Sequence, residues 1–107
     1  MIDEKGVIKM TVKQNNYSYP IDPDWTNKEI SEVVGMFRIV EDAYEVGVNR
    51  QTVIEQYKKF KQVANSKAYE KQLGKRFEDV SGYSLYKVMQ MTKKNQAGEI
   101  RVNGDVK

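Results

Sequence analysis

One stretch limits the folds open to this chain more than any other: Thr26 to Gly47, TNKEISEVVGMFRIVEDAYEVG. Thr26 is a good N-cap, and Glu29 stands three residues on. A capping box there gives partners to two otherwise unpaired backbone N–H groups. Trp25 and Ile30 flank the cap at the spacing of a hydrophobic staple. Gly47 supplies a left-handed residue to end the helix. At 100° per residue, Ile30, Val33, Val34, Phe37, Val40 and Tyr44 form one apolar stripe. Met36, Ile39, Ala43 and Val46 form a second, read as lying roughly opposite. A helix apolar on two sides sits between two partners. Gly35 costs about 1 kcal/mol relative to Ala in a helix interior. It reads either as tolerated drift or as the close approach of another helix.

Three shorter helices follow. Asn49 caps the second, Arg50 to Ala64, whose stripe is Val53, Tyr57, Phe60 and Ala64, widened by Ile54 and Val63. Only Gly47 to Asn49 separates it from the first, so the two are antiparallel neighbours. Ser66 caps the third, which runs to about Val80 with Tyr69, Leu73, Phe77 and Val80 as its core face. Lys67, Lys71 and Lys75 project from the opposite face. Ser84 caps the fourth, where Leu85, Val88, Met89 and Thr92 face inward, and it fades at Lys93-Lys94-Asn95.

Before the first helix, YSYPIDPDW is extended, because Pro20 and Pro23 fix φ and bias Tyr19 and Asp22 away from helix. Its aromatics are expected to pack over the end of the bundle, with an aromatic-lined ligand groove as the alternative. The expected fold is therefore all-α: a compact four-helix bundle, residues 17–94, with an extended aromatic N-terminal segment. A head, 1–16, and a tail, 95–107, are expected to be flexible. The short apolar pattern GEIRVNGDVK allows a strand there, paired with VIKMTV of the head.

The chain contains neither Cys nor His. That removes disulfides, thiolate nucleophiles, zinc thiolate sites and the commonest general base and metal ligand. The one acidic cluster is Glu41, Asp42 and Glu45. Glu41 and Glu45 share a helix face and would need one more carboxylate to hold a hard cation. Such pairs are common on solvated faces, so the reading has no catalytic residue, no metal and no cofactor. No apolar run approaches the roughly 18 residues of a membrane span. No signal-peptide pattern opens the chain, and a cytoplasmic location is expected.

Net charge is only +3, but it is segregated. Asp22 to Glu55 holds eight acids and three bases; Gln56 to Lys94 holds three acids and ten bases. The two halves are expected to attract one another within the domain.

The blocks YSYPIDPDW, AYEVGV, YKKFKQV, SKAYEK and FEDVSGYSLY occur in this order. Together they resemble the YktA-like family of small uncharacterised proteins (UPF0223) from bacilli and related Gram-positive bacteria. The resemblance spans about Tyr17 to Lys94. It implies a small all-α protein and carries no catalytic or binding residue. Asn65 departs from the pattern, where a Pro commonly precedes the SKA segment.

The functional reading is a non-enzymatic protein-interaction module, its process and partner unknown. The candidate interface is Gly35, Met36, Ile39, Ala43 and Val46, an apolar patch open to a second copy or another protein. The alternative is weak nucleic-acid binding through a basic face, Lys67, Lys71 and Lys75, near the interleaved YKKFK. Tyr57 and Phe60 fall on the core stripe, which takes their rings away from base stacking.

Overall fold

Each helix begins where a side chain can close its first turn. α1, Asn27–Glu45, starts at Thr26, whose Oγ1 accepts from the Glu29 N–H while Glu29 accepts from the Thr26 N–H. Asn49 Oδ1 accepts from the N–H groups of Gln51 and Thr52 and opens α2, Arg50–Val63. Ser66 opens α3, Lys67–Ser81, and Ser84 opens α4, Leu85–Lys94, each through the third N–H of its helix. α3 ends at Gly82, which adopts the left-handed conformation at φ 81°. These elements come from a computed structural model that describes residues 17–95 and 98–102. The expectations for the head, 1–16, and for residues 96–97 and 103–107 lie outside the described residues.

α2 returns alongside α1. Gln56, half-way along α2, donates to the Glu32 carbonyl at 2.9 Å, and its amide fills the space where a side chain on Gly35 would stand. The close approach at Gly35 is thus made within the chain. Phe37 of α1 and Phe77 of α3 stack at the centre with centroids 4.4 Å apart. Around them Val53, Phe60, Leu73 and Val88 have no accessible surface. Val80, expected on the core face of α3, is 43% exposed. Past Phe77 it is Ser81 that turns inward, its Oγ donating to the Phe77 carbonyl and accepting from the Tyr83 N–H. Val80 is left on the rim beside the Gly82 turn.

The tail departs most from the sequence reading. Residues Glu99–Ile100 form a strand, β2, antiparallel to β1, Val48–Asn49, in the turn between α1 and α2. Val48 faces Ile100, and the Val102 N–H donates to the Ala43 carbonyl at 2.8 Å. Ile100 and Val102 are buried. The tail therefore pairs with the α1–α2 turn, lies against α4, reaches α1 through the Val102–Ala43 bond, and buries its two apolar side chains in the core. Its alternation EIRV is the reason: the first and third side chains face solvent and the second and fourth face the core. Gly47, at φ 92°, makes the turn that presents β1.

On the opposite flank of α1 lies the segment from Tyr17 to Trp25. Tyr17 and Tyr19 both donate their phenol O–H to Glu41, the latter at 2.9 Å. Tyr69 of α3 donates to Asp22, Arg76 donates to the same carboxylate at 2.9 Å, and the Trp25 indole donates to the Tyr69 oxygen at 3.0 Å. The aromatic segment packs on the core through Tyr19 against Phe37 and Tyr17 against Phe77.

These contacts set three tests. Ile100→Ala should cost about 2–5 kcal/mol, comparable to Phe60→Ala, whereas Lys71→Ala should change stability by under about 0.5 kcal/mol. Denaturant melts give the comparison; a wild-type midpoint for Ile100→Ala would mean that the tail strand is not part of the core. The second test uses pH. The Tyr69 hydroxyl, and then Arg76, hold the Asp22 carboxyl below its ordinary 3.8, against the opposing effect of burial. A lowered folded value stabilises the protein above the unfolded value, and that contribution fades as pH falls through the folded one. Asp22→Asn should therefore lower Tm at pH 7, and the gap should close as pH falls below about 3.8. The third lies at the alkaline end. Burial, then the bond to Glu41, push the Tyr19 phenol up to about 12, and burial with carboxylate partners also raises Tyr17, Tyr57 and Tyr83. Raised values mean stability that is intact below about pH 10 and lost above it. Tyrosinate absorbance should rise together with loss of helical circular dichroism; ionisation of all tyrosines in a still-folded protein would contradict this.

Candidate functional site

The candidate interface does not form a continuous surface. Met36 and Ala43 have no accessible area, Ile39 is half-buried, and Gly35 faces Gln56. Only Val46 is open, at 60% exposure, and its carbonyl accepts from Arg101 at 2.7 Å. The physical reason lies in the angles. Met36 and Ala43 stand about 60° and 80° from Val33 around the helix, so they border the first stripe rather than oppose it. α2 and the tail close over that border.

The acidic cluster is likewise dispersed by its partners. Glu41, 9% exposed, accepts from Tyr17 and Tyr19. Glu45 accepts from Tyr83 at 2.6 Å, and Tyr83 stacks on Tyr44 with centroids 4.5 Å apart. The Asp42 carbonyl accepts from the N–H groups of Val46 and Gly47. Among the described residues, no three acidic side chains gather as metal ligands would.

Lys67, Lys71 and Lys75 do share an exposed face of α3. Lys67 pairs with Glu70 at 3.8 Å and Lys75 with Asp79 at 3.5 Å. The aromatics of YKKFK are engaged elsewhere. Phe60 is in the core, and Tyr57 donates to Glu70 with the Lys61 ammonium 5.4 Å from its ring centre.

Beside that lysine row the structure opens a groove of about 450 Å³ between α3 and the start of α4. Gly74 and Leu85 lie at its floor, and Ala68, Lys71, Lys75 and Tyr86 line it. A side chain on Gly74 would begin 3.6 Å from Leu85 Cδ2, so the two helices approach closely there and the missing side chain leaves the hollow. Tyr86 is 72% exposed, the largest exposure among the big apolar residues described. Its hydroxyl accepts from Gln90 Nε2 at 2.8 Å, one helical turn on, which fixes the ring on the rim. The sequence held two signals for this groove. Gly74 interrupts the middle of a helix, and Tyr86 is an aromatic about 100° away from the inward face begun by Leu85. Neither shows which helix would lie beside them.

The comparisons with known proteins agree with one another. The model of an uncharacterised protein family, UPF0223, matches residues 16–101. A UPF0223 protein of Listeria welshimeri is 45% identical over 86 residues, which are 80% of this chain and 96% of the relative. One from Staphylococcus haemolyticus is 48% identical over 79 residues, 74% of this chain and 88% of the relative. One from Streptococcus sanguinis is 46% identical over 85 residues, 79% and 92% of the two chains. With four fifths of its length matched, from the aromatic segment through α4 to the tail strand, this chain belongs to the UPF0223 family.

Proposed function

We propose that this protein is a non-enzymatic, cytoplasmic protein-interaction module that receives a segment of its partner in the groove between α3 and α4. The observation that supports this is Tyr86: a large aromatic held at 72% exposure over an apolar floor. Burying a tyrosine is favourable, and aromatic side chains beside a small pocket are the usual energetic centres of interfaces. The groove volume also falls within the roughly 300–1,000 Å³ of ordinary binding clefts. The helices themselves are too short or too polar to cross a membrane among the described residues. Catalysis has little support, because the carboxylates on the acidic face of α1 accept from phenols of the same chain.

This surface lies away from the second apolar stripe of α1. Self-association through Met36 and Ala43 would require the tail and α2 to leave α1, exposing a set of core residues. The groove needs no such opening.

A photo-crosslinking amino acid placed at position 86 tests the reading in a Gram-positive cell that makes the protein. Position 86 should give a discrete covalent adduct, and so should position 71. Position 31, an exposed site on α1, should give none. Adduct formation that is equal at 31 and 86, or absent at 86, would count against a docking role for the groove. A second expectation concerns Gly74. Its space accommodates a methyl group in ordinary contact, so Gly74→Ala should raise stability by about 0.4–1 kcal/mol through helix propensity, measured by denaturant melts.

A further inference from the structure

We infer that the occupant of the α3–α4 groove is an acidic amphipathic helix of a partner protein, an identification that rests on the docking role proposed for this groove. The charges on the rim carry the argument. Glu70 is already occupied: Tyr57 donates to it, Lys67 lies 3.8 Å away, and its side chain is only 13% exposed. Asp79 is matched by Lys75. The lysines themselves reach outward, with the Lys67 and Lys75 side chains 78% and 77% exposed. Lys71, between them, has no ion-pair partner among the described residues. Two of these lysines, Lys71 and Lys75, line the groove, and Lys67 continues the row beyond it; the Lys75–Asp79 pair is exposed on both sides and exchanges readily. An incoming carboxylate displaces little.

Spacing selects the form of the segment. Lysines four residues apart on α3 recur about every 6 Å along the axis. Carboxylates four residues apart on a second helix recur at the same interval, so one helix lying along α3 meets successive lysines in register. The groove floor is helix side chain and glycine, with no strand edge for an extended peptide to join. Between its acidic positions the partner must carry apolar side chains, one to enter over Gly74 and Leu85 and others to cover the Tyr86 ring. That is the helix-in-groove mode of recognition. Glu78 gives the groove a polarity: it lies at the end of the lysine row, so the matching end of the partner helix carries a base or a neutral residue.

A phosphate backbone fits less well. The apolar floor of the groove has no counterpart on a duplex, whose outer face is phosphate and sugar. Charge complementarity and an apolar anchor together favour protein.

The experiment uses the full-length, isotopically labelled protein and three probes. The first is a synthetic helical peptide of about 18 residues with leucines along one face and glutamates on its flanks. The second is its twin with lysine in place of glutamate, and the third is a mixed-sequence DNA duplex. Amide shifts are followed by NMR up to millimolar peptide, with affinities from fluorescence anisotropy. The acidic peptide should move the amides of Ala68, Lys71, Gly74, Leu85 and Tyr86 and bind at least about ten-fold more tightly than its twin. Lys71→Glu with Lys75→Glu should reverse that preference while the melting temperature stays near wild type. Equal binding of the two peptides, shifts located elsewhere, or duplex DNA producing the same shifts would each overturn the acidic-helix assignment. Absence of binding by the acidic peptide overturns it too. If position 86 still crosslinks in the cell, the groove remains a docking site for another class of partner; if crosslinking is also absent, both readings fall. A concentration-dependent dimer seated on these same amides would replace the foreign partner with a second copy.

Discussion

A nineteen-residue helix whose buried positions spread over about 160° of its circumference cannot be covered by a single neighbouring helix. Everything else in this fold follows from how α1 meets that demand. Phe37 and Val40 point at the middle, where Phe77 and Val88 wait. Ala43 and Met36 lie on one flank, and Glu41 on the other. The three short helices supply the middle. Each flank is then closed by a piece of chain that is not helical at all: the tail strand over Ala43, and the aromatic segment over Glu41. Two non-helical segments thus act as the second layer of a core too small to be sealed by helices alone.

The two covers use different physics. The tail contributes buried Ile100 and Val102 and is held in register by backbone bonds to Val48 and to the Ala43 carbonyl. The aromatic segment contributes rings whose hydroxyls still need partners once the rings are buried. Carboxylates supply those partners: Glu41 for Tyr17 and Tyr19, and Asp22 for Tyr69. Phenol-to-carboxylate bonds of this kind join residues 22 to 47 apart in sequence, so they set where the segment lies as well as how firmly it holds. Burial first, and then these bonds, push the Tyr19 and Tyr83 phenols up, while the Tyr69 hydroxyl pulls the Asp22 carboxyl down. A chain without histidine has thereby moved its pH sensitivity away from neutrality, to the acid and alkaline extremes.

Local chemistry explains what was legible in the sequence. Thr26, Asn49, Ser66 and Ser84 each close a helix start, because a cap is decided by residues within one turn. Phe37, Phe60, Leu73 and Phe77 lie at the centre, because helical periodicity fixes which side they share. What escaped depends on distant partners. Nothing in EIRV tells that its mate is the two-residue strand at Val48 rather than the head, since both offer β-branched residues and register is set by the turn at Gly47. Met36 and Ala43 read as a separate stripe because an angle of about 60–80° from Val33 looks like a second face until a third element wraps over it. Of the candidate functional residues, Lys71 and Lys75 do line the groove, but the groove itself comes from an absence, the missing side chain of Gly74, and from the turn at Gly82 that brings α4 beside α3. Neither is a periodic signal.

The extent of the family match turns this architecture into an argument about function. The match begins at residue 16, just before Tyr17, and ends at Arg101, one residue past the tail strand. The aromatic segment and the tail strand therefore fall inside the shared unit, and Val102, which bonds to Ala43, lies one residue beyond it. Sealing α1 from both flanks removes the apolar face of the longest helix from any partner. It leaves α3 and α4, which meet near Gly74 and diverge around the groove, as the place where the fold keeps a hollow and an uncovered aromatic. α3 and α4 thus serve the core with one face, through Leu73, Phe77 and Val88, and carry the groove proposed as a docking surface on another. α1, the covers and the Phe37–Phe77 stack form the rigid part. The docking surface proposed above would benefit from that backing, because side chains on a preformed scaffold lose less freedom when a partner arrives.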